Sequence, residues 1–291
     1  MSDSNLYRYI TEDGSCFLHV IDSTNIVKRM EEIHKTSATA SAALGRALTA
    51  TSLMGAGLMK DGNSITLQIR GNGLIGNIVV VSDWKGNVRG YCDNPHADVP
   101  NNSIGKLDVG NLVGKDGILY VIKDLGMDRP YVGQVPIKTG EIAEDIVEYY
   151  ATSEQTPSAC SLGVLVDKDL TIKCSGGFLL QLLPGSDEKT VDLIDENIKN
   201  IPYITSVISS GNGPKEIADL VFKNIKYDEL DNSFVEYKCS CSRERMEKVL
   251  ISLGKKELLS LAKEQEQTEI LCHFCNHKYI FSSSELLSLI S

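Results

Sequence analysis

The sequence predicts an α+β protein. The core domain is expected to hold a mixed, largely antiparallel sheet with packed helices, followed by a helical linker and a small C-terminal metal-binding domain. Three observations carry that reading. The apolar pattern changes from helix-like to strand-like near residue 64. The composition shifts after Pro184-Gly185. Four of the eight cysteines gather in two tight pairs near the C-terminus. A chain of 291 residues has room for about two domains at roughly 100–200 residues each.

Residues 22–34, "DSTNIVKRMEEIH", read as an amphipathic helix. Asp22 to Thr24 offer N-caps, and Ile26, Met30 and Ile33 share one face. Residues 38–59 are small or apolar nearly all round, the pattern of a buried helix. Strands follow at 64–70, 77–83 and 88–92, separated by glycine-containing turns, and then around 117–125 and 131–137. Thr139 can cap a helix whose Ile142, Ile146 and Tyr149 face inward. Residues 158–167 and 170–183 read as a hairpin joined through Lys168-Asp169. The core domain is therefore placed at 1–183. From 184 to 234 the chain reads as short helical pieces broken by Pro202, Gly211, Gly213 and Pro214, a marginally stable linker. The paired cysteines occupy 235–291.

Net charge is −10, which argues against a general nucleic-acid binder. The N-terminus lacks a basic region followed by an apolar run, and Ala47 to Met59 is too short to span a bilayer. The expectation is a soluble, cytoplasmic chain with no membrane partner. Thiols stay reduced in that compartment, so clustered cysteines point to metal or redox chemistry.

Several motifs read as ordinary structure. "GNGLIG" (Gly71, Gly73, Gly76) fits a dinucleotide fingerprint, but "NIVVVSDWKGN" follows where a helix would be needed, so a hairpin turn is expected. His19, His34 and His96 lie apart in the sequence. Asp93, His96 and Asp98 fall in a proline-bounded loop. No nucleophile elbow, phosphate loop or zinc-protease helix is present, and the chain is not expected to be an enzyme. Cys16, Cys92, Cys160 and Cys174 sit in apolar or strand-like surroundings and read as small buried hydrophobes.

The C-terminal four differ. "CSC" (Cys239, Cys241) and "CHFC" (Cys272, Cys275) supply four soft ligands, the number a tetrahedral Zn²⁺ site needs. Thiolates also suit Cu(I) and iron–sulfur clusters, and zinc is the simplest occupant of a closed four-sulfur set. Ser242 can cap a first helix between the pairs and Gly254 can end it. Leu258, Leu259 and Ala262 give a second helix an apolar side. His273 and His277 are possible competing ligands, but four cysteines complete a set without them. The bland reading of such a site is a structural zinc. The other is a metal held by oxidisable thiolates. In the chain-entropy model an in-pair disulfide restrains the unfolded chain by only about 2 kcal/mol, against about 4 across the insert.

At "CSCSRERMEKVLISLGKKEL", "ILCHFCNHKY", "GGFLLQLLPG" (176–185) and the alanine-rich helix leading into "SITLQIRGNG", the sequence resembles the redox-regulated 33-kilodalton heat-shock chaperonin family. The resemblance runs the full length of the chain. It implies an ATP-independent holdase that binds unfolding client proteins, silent when reduced and zinc-bound. It implies one Zn²⁺ on Cys239, Cys241, Cys272 and Cys275, with Cys239–Cys241 and Cys272–Cys275 disulfides on oxidation. It further implies a linker that unfolds on activation and a homodimeric active form. Cys16, Cys92, Cys160 and Cys174 lie outside the family's four-cysteine pattern. Two rival readings remain: a thiol–disulfide oxidoreductase using Cys272 and Cys275, and a regulatory binding protein with an inert structural zinc.

Overall fold

A computed structural model describes residues 4–58 and 60–290. Met59, counted in the second helix and its apolar stretch above, lies outside the described residues. The chain divides into two compact units, Met1–Tyr237 and Lys238–Ser291.

The first unit is organised around one helix. Helix α1 spans Thr24–His34, and α2 spans Ala38–Gly55. Every residue of α2 except Ala38 and Arg46 is buried, as its all-round small and apolar composition requires. Ser37 caps it by accepting from the Ala40 N–H at 3.2 Å. At α1 the cap is divided. Asp22 accepts from the Thr24 N–H at 2.9 Å. The Ser23 hydroxyl is drawn into the core, bonded to Thr49 at 2.7 Å and Ser175 at 2.9 Å. Ile26, Val27 and Met30 are buried on α1 and Ile33 is only half-buried.

Two antiparallel sheets enclose α2. One is built from β3 (Ser64–Gly71), β4 (Asn77–Asp83), β5 (Val88–Cys92), β6 (Gly117–Asp124) and β7 (Tyr131–Pro136), in the order β5-β4-β3-β6-β7. The other uses β1 (Asn5–Thr11), β2 (Cys16–Asp22), β8 (Ser158–Val166), β9 (Ile172–Leu182) and β10 (Tyr227–Phe234), in the order β10-β1-β2-β9-β8. Strands β1 and β2 form an N-terminal hairpin that the sequence reading did not assign. The helical pieces read up to 234 end instead in β10, a polar edge strand along β1. Its apolar residues do not alternate, so periodicity gives no strand signal there.

The short α3 (Val109–Val113) lies under the "GNGLIG" turn. Gly73 donates its N–H to Val113 O at 2.9 Å, and a Cβ at Gly71 or Gly73 would collide with the backbone of 112–114. Those glycines serve close packing, and strand β4 follows them. Helix α4 (Ala143–Thr152) buries Ile146 and Tyr149 behind a buried Ile142. Ile142 is the cap residue rather than Thr139, and Asp145 accepts from the Ile142 N–H at 3.2 Å. Helices α5 (Glu188–Asn200), α6 (Ile204–Ser209) and α7 (Pro214–Val221) cover the β1-β2-β9 face turned away from α2. Tyr9, Leu18, Val20 and Phe178 meet Ile194, Val207, Ile217 and Phe222 in this second core.

The second unit contains α8 (Arg243–Ser252), α9 (Lys255–Glu264), a hairpin of β11 (Gln267–Leu271) and β12 (Lys278–Ser282), and α10 (Ser283–Ser288). Ser242 caps α8 through the Arg245 N–H at 3.3 Å. Gly254, at φ 88°, breaks the chain between α8 and α9. Leu250, Leu258, Phe281 and Leu286 form its core, with Leu261, Ala262 and Tyr279 packed at the edge.

Candidate metal centre

Two local structures deliver the cysteines. Cys239 and Cys241 lie in extended chain immediately before the Ser242 cap of α8. Alternation in extended chain lets residues i and i+2 point the same way. Cys272 and Cys275 lie in the β11–β12 turn. There the Cys272 N–H donates to His277 O at 3.0 Å, and the N–H groups of Cys275 and Asn276 return to Cys272 O at 3.3 and 2.8 Å. Asn276 takes a left-handed φ of 55°, which asparagine tolerates better than most residues.

The four sulfurs lie within 4.8 Å of one another. Cys239 and Cys272 are 3.7 Å apart, and Cys241 and Cys275 are 3.4 Å apart. Four sulfurs at 2.3 Å from a tetrahedral Zn²⁺ would stand about 3.8 Å from each other. The two separations are close to the edges of that tetrahedron. Among the described residues this is the only group of three or more potential ligands that converges in this way. These four cysteines can hold a metal ion, and sulfur donors in tetrahedral array suit zinc.

The site's electrostatics are uneven. Burial pushes the Cys239 thiol up to about 11, and burial also raises Cys275. At Cys241 burial again acts upward, but hydrogen bonds from the Tyr279 hydroxyl and the neighbouring thiols outweigh it and lower its pKa. Tyr279 donates to Cys241 Sγ at 3.1 Å, and that bond raises the phenol above its usual range. Crowded thiols oppose one another's ionisation, and a bound dication removes that opposition.

Sequence reasoning missed Tyr279 and Arg243. The guanidinium of Arg243 lies 4.2 Å from the centre of the Phe281 ring and donates to Ile280 O at 3.1 Å and Glu285 at 2.7 Å. It ties the start of α8 to β12. The period of two in "KYIFS" was the available signal, since Tyr279 and Phe281 must share a face. His273 and His277 are exposed and are not part of the sulfur cluster.

The other cysteines are placed differently. Cys16, Cys92 and Cys174 are buried in the first unit and Cys160 is half-buried on β8. Burial pushes Cys92 and Cys160 up to about 12 and raises Cys16 and Cys174. Thiols held protonated are poor nucleophiles. Asp93 is engaged by the Asn77 backbone at 2.9 Å and side chain at 2.7 Å. His96 and Asp98 are exposed on their loop and do not join it in a cluster.

Among the described residues no helix is long and apolar enough to cross a membrane. The family model described as "Hsp33 protein" matches residues 4–282. A 33 kDa chaperonin of Clostridium acetobutylicum is 48% identical over 98% of this chain and 96% of its own length. One from Clostridium beijerinckii is also 48% identical, over 98% of both chains. The crystal structure of the 33 kDa chaperonin (heat shock protein 33 homolog) of Thermotoga maritima superposes with a TM-score of 0.91 at 36% identity, covering 99% of this chain and 98% of that one. The relatives' name indicates a chaperone. With the fold, the full-length match and the four converging thiols in agreement, this chain belongs to the Hsp33 family.

Proposed function

We propose that this protein is an ATP-independent holdase governed by the oxidation state of Cys239, Cys241, Cys272 and Cys275. Family membership supports a chaperone function. The observation that carries the finer reading is the sulfur cluster, set in a unit whose apolar core among the described residues is Leu250, Leu258, Phe281 and Leu286. In the reduced state the four thiolates hold one Zn²⁺, which supplies charge neutralisation and cross-links α8's leading segment to the β11–β12 turn. Structural zinc contributes roughly 10–16 kcal/mol of apparent binding free energy, comparable with the stability of a whole domain.

Hydrogen peroxide takes two electrons from a pair of thiolates, its O–O bond breaks as the S–S bond forms, and two protons from solvent complete the two waters to which it is reduced. Formation of Cys239–Cys241 and Cys272–Cys275 removes all four ligands and spends two equivalents of oxidant. Each such disulfide closes a tiny loop, so it restrains the freed chain little. Loss of the cross-link unfolds 235–291, and 184–234 unfolds with it as a metastable linker. The second core gives this step its consequence. When α5–α7 leave, Tyr9, Leu18, Val20, Phe178 and Leu180 lose their cover. An exposed apolar sheet face of this kind binds the apolar segments of unfolded clients. The active form is a homodimer acting in the cytoplasm.

The oxidoreductase reading gains no support from the geometry. Cys272 and Cys275 sit in a hairpin turn, not at the helix N-terminus that activates a thioredoxin-type thiolate. The test treats reduced, metal-loaded protein with peroxide at two temperatures. Zinc release, helicity and suppression of client aggregation are then followed together. All three are expected to change in step, with two in-pair disulfides found by peptide mapping. Full aggregation suppression by the reduced, metal-loaded form would overturn the switch.

A further inference from the structure

Between β10 and the first cysteine pair the chain runs through Val235, Glu236 and Tyr237. These residues close the first unit, which ends at Tyr237, and the second unit begins at Lys238. Their side chains are buried, exposed and half-buried in turn, the alternation of extended chain. Each is fastened to a different part of the first unit. Val235 is buried in the core around α2, and its N–H donates to Ser4 O at 2.9 Å. The Glu236 carbonyl accepts from the Val88 N–H at 3.0 Å, and the Glu236 N–H donates to Asn87 Oδ1 at 3.2 Å. The Tyr237 hydroxyl donates to Gly90 O at 2.8 Å and accepts from the Gly90 N–H at 3.3 Å. It shares a further hydrogen bond of 3.3 Å with Nε2 of His34, the last residue of α1. Val88 and Tyr237 form a parallel bridge, so the segment lies along β5, the edge strand of its sheet.

The two ends of this segment lead to very different places. Behind it is β10, whose residues are exposed or half-buried and which pairs with β1 alone. An edge strand with so little burial opens easily unless its ends are held. Ahead of it, Cys239 follows Tyr237 by two residues, a span of at most about 7 Å in extended chain. A docked segment flanked by ordered chain on both sides gains less freedom on release than one that opens into coil. With a metal on Cys239 and Cys241 the chain just beyond Tyr237 is ordered. Without it that chain is free, and 235–237 becomes the fraying end of the first unit.

We propose that residues 235–237 are a strap that couples the metal centre to the linker. It is docked on β5 while Cys239 and Cys241 hold the metal, and it is released with the end of β10 when they do not. The inference rests on the switch proposed above and gives its transmission a route through the chain itself. Tyr237 is the positioning residue, since its hydroxyl engages both backbone polar groups of Gly90 and it stands nearest the cysteines in sequence. Coupling of this kind is reciprocal. Metal binding that favours the docked strap means a docked strap that favours metal binding by the same factor. A change at Tyr237 is therefore read in zinc affinity, although Tyr237 is not a ligand.

The test follows hydrogen exchange in the reduced full-length protein with and without zinc. The Val88 and Gly90 amides report on the strap, because their acceptors are Glu236 O and the Tyr237 hydroxyl. Both are expected to exchange about a hundredfold faster after chelation, while the β3 and β4 amides are unmoved. Tyr237→Phe keeps the ring and removes the hydroxyl. It is expected to bind zinc about tenfold more weakly in chelator competition, and its zinc-loaded form to exchange the Val88 amide about tenfold faster. A Tyr237→Phe protein with a lower melting temperature and unchanged zinc affinity would overturn the proposal, since Tyr237 would then only stabilise the first unit. Val88 and Gly90 amides that stay protected after chelation while β10 exchanges would overturn it too, because the strap would then insulate the linker from the metal centre. Aggregation suppression by the peroxide-treated protein is measured in parallel. If it appears while neither the amides nor the affinity move, the strap falls and the switch stands. If it is absent, the switch falls and the strap with it.

Discussion

The first unit buries an 18-residue helix between two five-stranded sheets, and a further set of helices seals the outside of one sheet. The second unit surrounds Leu250, Leu258, Phe281 and Leu286 with short elements and brings four thiols together. Burying one such side chain contributes about 1.5–3 kcal/mol. A unit with so few of them is expected to depend on a ligand set for its order, while the first unit has its order set by packing. A ligand set can be removed chemically in one step, whereas a packed core cannot. Under the proposed switch, that asymmetry would let one end of the chain report on its surroundings while the other end persists as a surface.

Metal removal tests this contrast with the largest effect. If the proposed zinc is bound, chelation of the reduced protein should abolish hydrogen-exchange protection across 238–291, since a structural zinc supplies roughly 10–16 kcal/mol of apparent binding free energy. Amides of α2, β3 and β4 should keep theirs. Protection that survived in β11 and β12 after complete chelation would break the comparison, because the small core would then suffice alone.

Helices α5–α7 belong to the first unit, and the proposed switch requires them to behave as a separable linker. Phe222 is buried in the second core beside Tyr227, their ring centres 5.2 Å apart. Phe222→Ala should cost about 3–5 kcal/mol, and the cost should fall on the linker's hold on sheet β10-β1-β2-β9-β8. The expected outcome is partial aggregation suppression by the reduced, zinc-loaded variant, with its zinc content unchanged. A variant that stays silent while its melting temperature falls would show the linker and the first unit unfolding as one body.

The two regions were also unequally legible in the sequence. The cysteine spacing pointed directly to the cluster that could hold a metal ion, because ligand number and type are chemical facts that need no fold. Helix α2 was legible because sixteen buried positions leave no room for a polar face. Strands β3, β4 and β5 alternate and are bounded by glycine turns. Strands β1 and β10 were not readable. β10 takes its position from pairing with β1, through a register shift between Arg8 and Tyr9, and pairing across more than two hundred residues leaves no local pattern. The cover that α5–α7 give to β1, β2 and β9 was hidden for the same reason. Ile194, Val207 and Ile217 look thinly spread along the chain and converge only on the sheet.

Acid should sharpen the comparison further, with a smaller effect and a different cause in each unit. His19 is 4% exposed on β2. Burial first, and then the Arg8 guanidinium opposite it in the strand register, depress its pKa from 6.5 to about 4. The Leu53 backbone and Asp231, which is paired with Arg8 at 2.5 Å, act weakly the other way. An unfolded chain therefore takes up a proton near pH 6.5 that the folded chain refuses until about pH 4. The unfolded state binds more protons throughout that window, so the first unit loses stability as pH falls through it. A shift of that size is worth up to about 3 kcal/mol. His19→Gln should flatten this part of the pH–stability curve while leaving a neutral-pH structure in place. The second unit also weakens in acid, but through protonation of its thiolate ligands, and His19→Gln should leave the pH of zinc release unmoved. Denaturant melts of the first unit and zinc release, both followed from pH 7 to 4, separate the two causes. A single pH midpoint shared by both signals, and shifted together by His19→Gln, would mean that packing and ligation are not independent in this chain.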